Sequence, residues 1–127
     1  MLPFMIELKP GLAIAEQVIF AVKKAVVGGQ MKPGAPFPSV RALSQELKIN
    51  PNTAHKITAA LVAEGVLVTT PAVGSLVAER GETDRKARAE LLGADLERLA
   101  VDAKKLGLTL DEVQDGFAVQ WRKLSRK

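Results

Sequence analysis

Residues 28–67 read GGQMKPGAPFPSVRALSQELKINPNTAHKITAALVAEGVL. Three prolines fall between Lys32 and Pro38, which marks a turn-rich link. Ser39 follows, placed to cap a short helix, because its hydroxyl can accept from an amide that the first turn leaves unpaired. Val40, Leu43 and Leu47 recur at three- and four-residue steps and give that helix a single apolar stripe. Lys48 and Ile49 then form a tight turn. Asn50-Pro51 is the strongest local signal in the chain: Asn caps the next helix, and proline suits the first helical position, where an N–H would have no partner anyway. That helix should run to about Glu64, with Gly65 ending it.

Upstream, Ile14, Val18, Val22 and Ala25 form one face of a helix that Gly28-Gly29 stops. Met5 to Leu8 reads as a short strand or an ordered arm, broken at Pro10-Gly11. Downstream, Val66–Thr70 and Ser75–Val77 flank Pro71-Ala72-Val73-Gly74 and read as a hairpin. The order helix, short helix, tight turn, helix, hairpin is a winged helix-turn-helix over residues 1–78.

Residues 79–127 have a different character. From Thr83 to Leu106, the residues Ala89, Leu92, Leu96, Leu99, Ala103 and Leu106 alternate three- and four-residue steps in a heptad-like seam. Gly107 stops this helix, and Thr109-Leu-Asp-Glu112 is a capping box that opens a last one. Val113, Phe117, Trp121 and Leu124 share a side of it. The expected fold is therefore mainly α with a small β-hairpin: a winged helix-turn-helix followed by a two-helix C-terminal dimerisation tail. One helix cannot bury the seam. The last helix covers part of it, and a second copy would cover the rest, which makes Leu92, Leu96, Leu99, Ala103, Leu106, Phe117 and Trp121 the expected dimerisation residues.

The formal charge is +4 and the pI about 9.6, a mild preference for polyanions. Between Leu12 and Ala78 stand six bases (Lys23, Lys24, Lys32, Arg41, Lys48, Lys56) against three acids (Glu16, Glu46, Glu64), so the excess lies in the winged-helix part. No cysteine is present, which excludes disulfides, thiolate zinc sites and a cysteine nucleophile. His55 is the sole histidine, so no metal site is expected. No nucleophile elbow, P-loop or HExxH motif occurs, and neither an enzyme nor a cofactor is expected. Lacking a signal-peptide pattern and a long apolar run, the chain is expected to be cytoplasmic, away from membranes.

On a 100° wheel, Ala54, Ile57 and Leu61 of the second quoted helix face inward, while Asn52, His55, Lys56, Ala59 and Ala63 face outward. Polar groups at the first turns and small alanines beyond suit insertion into a DNA major groove. Asn52 can offer a donor and an acceptor to adenine, and His55 and Lys56 can reach guanine acceptors or phosphates. Ser39, Arg41 and the amides at the start of the shorter helix can clamp a phosphate. Lys32 and Lys48 are weaker candidates. The wing tip is nearly apolar, where a gripping wing would carry Arg or Lys.

From Gly29 to Gly74 the sequence resembles the GntR-type regulators, whose pattern is roughly G-x-L-x-P-G-x-x-L-P-S-x-R-x-L-A, followed by the Thr-containing recognition helix and L-x-x-x-G. Asn50-Pro-Asn-Thr53, Glu16-Gln17 and the short tail are similar to the YtrA-type subfamily, which uses about two tail helices for dimerisation. The resemblance implies phosphate and base contacts at Ser39, Arg41, Asn50, Asn52, Thr53, His55 and Lys56, and at Gly74 in the wing. Pro51 and His55 stand where other members carry Arg, Phe37 where Leu is usual, and the wing lacks an Arg/Gly-rich tip.

The expected function is a sequence-specific DNA-binding transcriptional regulator. It would act as a homodimer on double-stranded operator DNA with an inverted repeat, and the resemblance implies repression. The alternative is a winged helix used for protein–protein contact. A small-molecule effector is left open: the tail looks too short to enclose a metabolite pocket of several hundred Å³, so a ligand would lie at an interface.

Overall fold

The computed structural model describes residues 2–79 and 85–125. They form two compact units, one built from the first three helices and the hairpin, the other from the C-terminal helices.

In the first unit, α1 spans Ile14–Val27, α2 Val40–Leu47 and α3 Pro51–Ala63; β1 (Leu67–Thr70) and β2 (Gly74–Val77) pair antiparallel. Both expected caps are present. The Ala42 N–H donates to Ser39 Oγ (3.1 Å), and the Asn52 N–H donates to Asn50 Oδ1 (2.7 Å) with Pro51 at the first helical position. Val18, Val22 and Ala25 of α1, Leu43 of α2, and Ala54, Ile57 and Leu61 of α3 are buried together with Leu67 and Val77 of the hairpin. These aliphatic side chains make one core, and α3 is held against it by the inner stripe read from its sequence. Lys23 Nζ meets Glu64 Oε1 at 2.8 Å, an exposed ion pair that adds little to stability.

The proline-rich link does more than turn. The Gly34 N–H donates to the Val77 carbonyl (2.8 Å), Val77 N–H to Ala35 O (2.8 Å) and Phe37 N–H to Ser75 O (2.9 Å). Residues 34–37 thus lie along β2 with a bridge at Pro36–Leu76. The prolines obscured this pairing, yet it needs donors only from Gly34 and Phe37 on this side.

The N-terminal segment is an ordered arm, not a strand. Leu2, Phe4, Ile6 and Leu8 turn inward while Pro3, Met5, Glu7 and Lys9 are exposed, the two-residue period of extended backbone. It is tied down by one side chain. Gln17 Oε1 accepts from the Lys9 N–H (2.8 Å), and Gln17 Nε2 donates to the carbonyls of Lys9 (3.0 Å) and Leu12 (3.2 Å). The amide thereby substitutes for a neighbouring strand.

The tight turn after α2 sets Lys48 at φ 56° and ψ 47°, with its N–H donating to Ser44 O. A left-handed non-glycine residue costs about 1–2 kcal/mol, and glycine returns about 0.5–1 kcal/mol of that as extra unfolded-state entropy. Lys48→Gly is expected to raise thermal stability by about 0.5 kcal/mol. A lowered melting midpoint would show that the lysine stem stabilises the turn by more than the strain it carries.

In the second unit, α4 (Arg85–Glu90) and α5 (Leu96–Lys105) are joined by a π-helical turn, Leu91–Asp95, and α6 spans Leu110–Ser125. The expected start at Thr83 lies outside the described residues. Residues 85–105 are not one regular helix, because the Leu96 N–H reaches the Leu91 carbonyl, five residues back. The capping box is formed reciprocally: the Thr109 N–H donates to Glu112 Oε1 (2.9 Å) and the Glu112 N–H to Thr109 Oγ1 (3.1 Å). No helix among the described residues is long and apolar enough to cross a membrane.

Candidate nucleic-acid interface

Helix α3 presents its outer face as expected. Asn52, His55, Lys56, Ala59 and Ala63 are exposed, opposite the fully buried Ala54, Ile57 and Leu61. Asn50 is exposed, but its Oδ1 is occupied by the cap, leaving its amide NH₂ as the group free to meet a ligand. Thr53 is half-buried, so it offers the least surface of the expected contact residues.

At the start of α2, Ser39 and Arg41 are both exposed. The Ser39 hydroxyl oxygen accepts the capping bond, and its own hydrogen can still be donated. The first-turn amides of Val40 and Arg41 have no carbonyl a turn behind them, so a phosphate there meets several N–H donors and one guanidinium. The Arg41 carbonyl accepts from the buried Ser44 hydroxyl (3.0 Å), which fixes the backbone that carries the guanidinium.

The wing tip closes through the Val73 N–H to the Thr70 carbonyl (3.1 Å), with Ala72 at φ 67° and Gly74 at φ 102°. Pro71, Ala72, Val73 and Gly74 are all exposed, so the tip offers backbone and small apolar groups rather than charge.

The tail carries a second surface. Leu91, Leu92, Leu96 and Leu99 on one arm of the helical pair, and Leu110, Val113, Phe117 and Trp121 on α6, line an open apolar groove of about 920 Å³ edged by Gln114 and Arg122. Phe117 and Trp121 rings lie 5.7 Å apart. Of the expected dimerisation residues, Leu92, Leu96, Leu99, Phe117 and Trp121 share this groove. Ala103 is buried and lines a smaller hollow beside it, and Leu106 lies outside both, at the exposed end of α5. A 3.5-residue period leaves Leu91 off the seam, whereas in the structure, within the π turn, it lines the groove together with Leu96. The concavity between α5 and α6 is an open groove and not an enclosed pocket.

A capped helix with an exposed polar face, a shorter capped helix before it and a flanking hairpin define a winged helix-turn-helix regulator. The chain belongs to the gntR family of bacterial regulatory proteins, whose model matches residues 14–77. It is similar to the HTH-type transcriptional repressor YtrA of Bacillus subtilis, with 32% identity over 114 residues, 87% of this chain and 88% of that one. Among solved structures it resembles a transcriptional antiterminator from Listeria monocytogenes, with a TM-score of 0.86, 25% identity and coverage of 98% of this chain and 93% of that one. It also shares its fold with YtrA of Sulfolobus acidocaldarius, a GntR-family transcription factor, with a TM-score of 0.60, 24% identity and coverage of 94% and 97%.

Proposed function

We propose that this transcriptional regulator is a homodimeric repressor that binds an inverted-repeat operator and acts in the cytoplasm by binding, not by catalysis. The observation that carries the reading is the outer face of α3, polar at Asn52, His55 and Lys56 and small beyond, next to the donor-rich start of α2. Asn52, His55 and Lys56 read base edges. Asn50, Thr53 and Gly74 contribute at the margins, while Ser39 and Arg41 hold phosphate.

Residues 1–78 serve as the DNA-binding head and residues 79–127 as the pairing tail. The groove supports this division, since a protomer that leaves Leu91, Leu92, Phe117 and Trp121 each more than half exposed needs a partner. A second copy that laid its own tail along the groove would meet matching apolar surface. Twofold pairing would set the two α3 helices about 34 Å apart, one turn of DNA.

Selection of genomic fragments by the purified chain, run at two salt concentrations, tests the reading. The expected result is an enriched inverted repeat, lost with Arg41→Ala, and a log-affinity slope against log salt of about −0.9 per phosphate contact. The exposed apolar wing tip favours a second reading, in which the winged helix docks on a protein. DNA retention indifferent to both Arg41→Ala and Lys56→Ala would support that second reading and overturn the first.

A further inference from the structure

Phe4 and Phe37 account for two of the four phenylalanines in the chain, and each is about 95% buried. Their rings lie nearly parallel, with an interplanar angle of 7° and centroids 6.2 Å apart. Phe37 occupies a junction. Its N–H is bonded to Ser75 in β2, next to the wing residue Gly74, and two residues further on Ser39 caps α2 and leads into Arg41. One aromatic pair therefore stands behind two of the surfaces assigned to DNA, the start of α2 and the wing.

The link that carries Phe37 is anchored at its start by the buried Met31, whose N–H donates to Ala25 O (3.2 Å), while at its end the Phe37 ring stacks on Phe4. The link's own backbone is held by the bonds along β2, but these fix one edge and leave rotation about that edge to side-chain packing. Phe4 supplies the packing from outside the region that matches the family model, which begins at residue 14. The arm cannot slide, because Gln17 grips Lys9 through both its N–H and its carbonyl. Ile6 and Leu8 pack between these two anchor points.

We propose that the N-terminal arm is part of the DNA-binding machinery and that Phe4 is a positioning residue, bracing Phe37 so that the α2 N-terminus and the wing meet the phosphates in register. Phe4 touches no DNA itself; it acts through Ser39 and Arg41. The inference rests on the DNA-binding reading above.

The test is a double-mutant cycle in the full chain, with the duplex recovered by selection as the probe. Phe4→Ala is expected to weaken binding about tenfold, as loss of a charge-assisted contact would, and to reduce the salt slope by about one unit per protomer. Arg41→Ala should do the same. The combined variant should then bind within about twofold of either single variant, because both changes remove the same contact. A residue that acted on DNA by a route other than Arg41 would give additive losses, about a hundredfold in the combined variant, and one that merely stabilised the fold would leave affinity unchanged. Additivity, or unchanged affinity in a Phe4→Ala chain with its full helical circular dichroism, overturns the proposal.

If Phe4→Ala loses that helical signal, Phe4→Leu carries the cycle, since it keeps apolar volume and removes the flat ring. Phe4→Leu with unaltered affinity and salt slope would likewise overturn it. Should the unaltered chain itself retain no DNA, the functional reading has failed and this inference goes with it, an outcome distinct from an additive cycle.

Discussion

Leu99→Glu is expected to leave a folded protomer that no longer pairs. Leu99 is 44% exposed and lines the groove between α5 and α6, so a glutamate there stays solvated in the isolated chain and keeps a good helix former in α5. Pairing would bury two such carboxylates, one from each protomer, and an uncompensated buried charge costs several kcal/mol. The proposed dimer should therefore give way to monomer in light scattering at micromolar concentration. Operator affinity should fall by at least about a hundredfold, since two linked heads gain about 10²–10⁴ over one. A Leu99→Glu chain that remains dimeric would place the interface elsewhere.

Ile57→Ala should act on the opposite face of the same functional unit as His55 and Lys56. Ile57 is completely buried at the centre of α3, among side chains from α1, α2 and the hairpin. Truncating a buried isoleucine to alanine costs about 2–5 kcal/mol through lost transfer energy and the cavity left behind. For a head of this size, each kcal/mol lowers the melting midpoint by about 4–8 °C, so a fall of at least about 8 °C is expected by calorimetry. DNA binding measured well below that midpoint should be nearly unchanged. A loss under about 1 kcal/mol would show that the core closes over the vacancy.

What could be read from the residues was what local chemistry dictates. Ser39, Asn50-Pro51 and Thr109–Glu112 are cap signals complete within four residues, and all three form as read. The inner stripe of α3 follows from a 3.6-residue period, which also placed Asn52, His55 and Lys56 outside. Features that join distant residues were not legible. Nothing near Phe4 announces that its ring will meet Phe37, thirty-three residues away. The pairing of Gly34 and Phe37 with β2 was hidden by prolines that argue for a turn. Leu91 was overlooked because the π turn, centred on Gly93, departs from the period used to read the tail. The open groove between α5 and α6 was likewise not legible, because it depends on how two helices distant in sequence are set relative to each other.

The aromatic composition has an optical consequence. The chain has one tryptophan and no tyrosine, and the tryptophan lies in the tail groove, 64% exposed. Emission excited where only indole absorbs therefore comes from that groove. Helix α3 and the wing contribute no indole, so tryptophan emission from the native protein speaks for the tail, and a change in it on adding DNA would be a change at that groove.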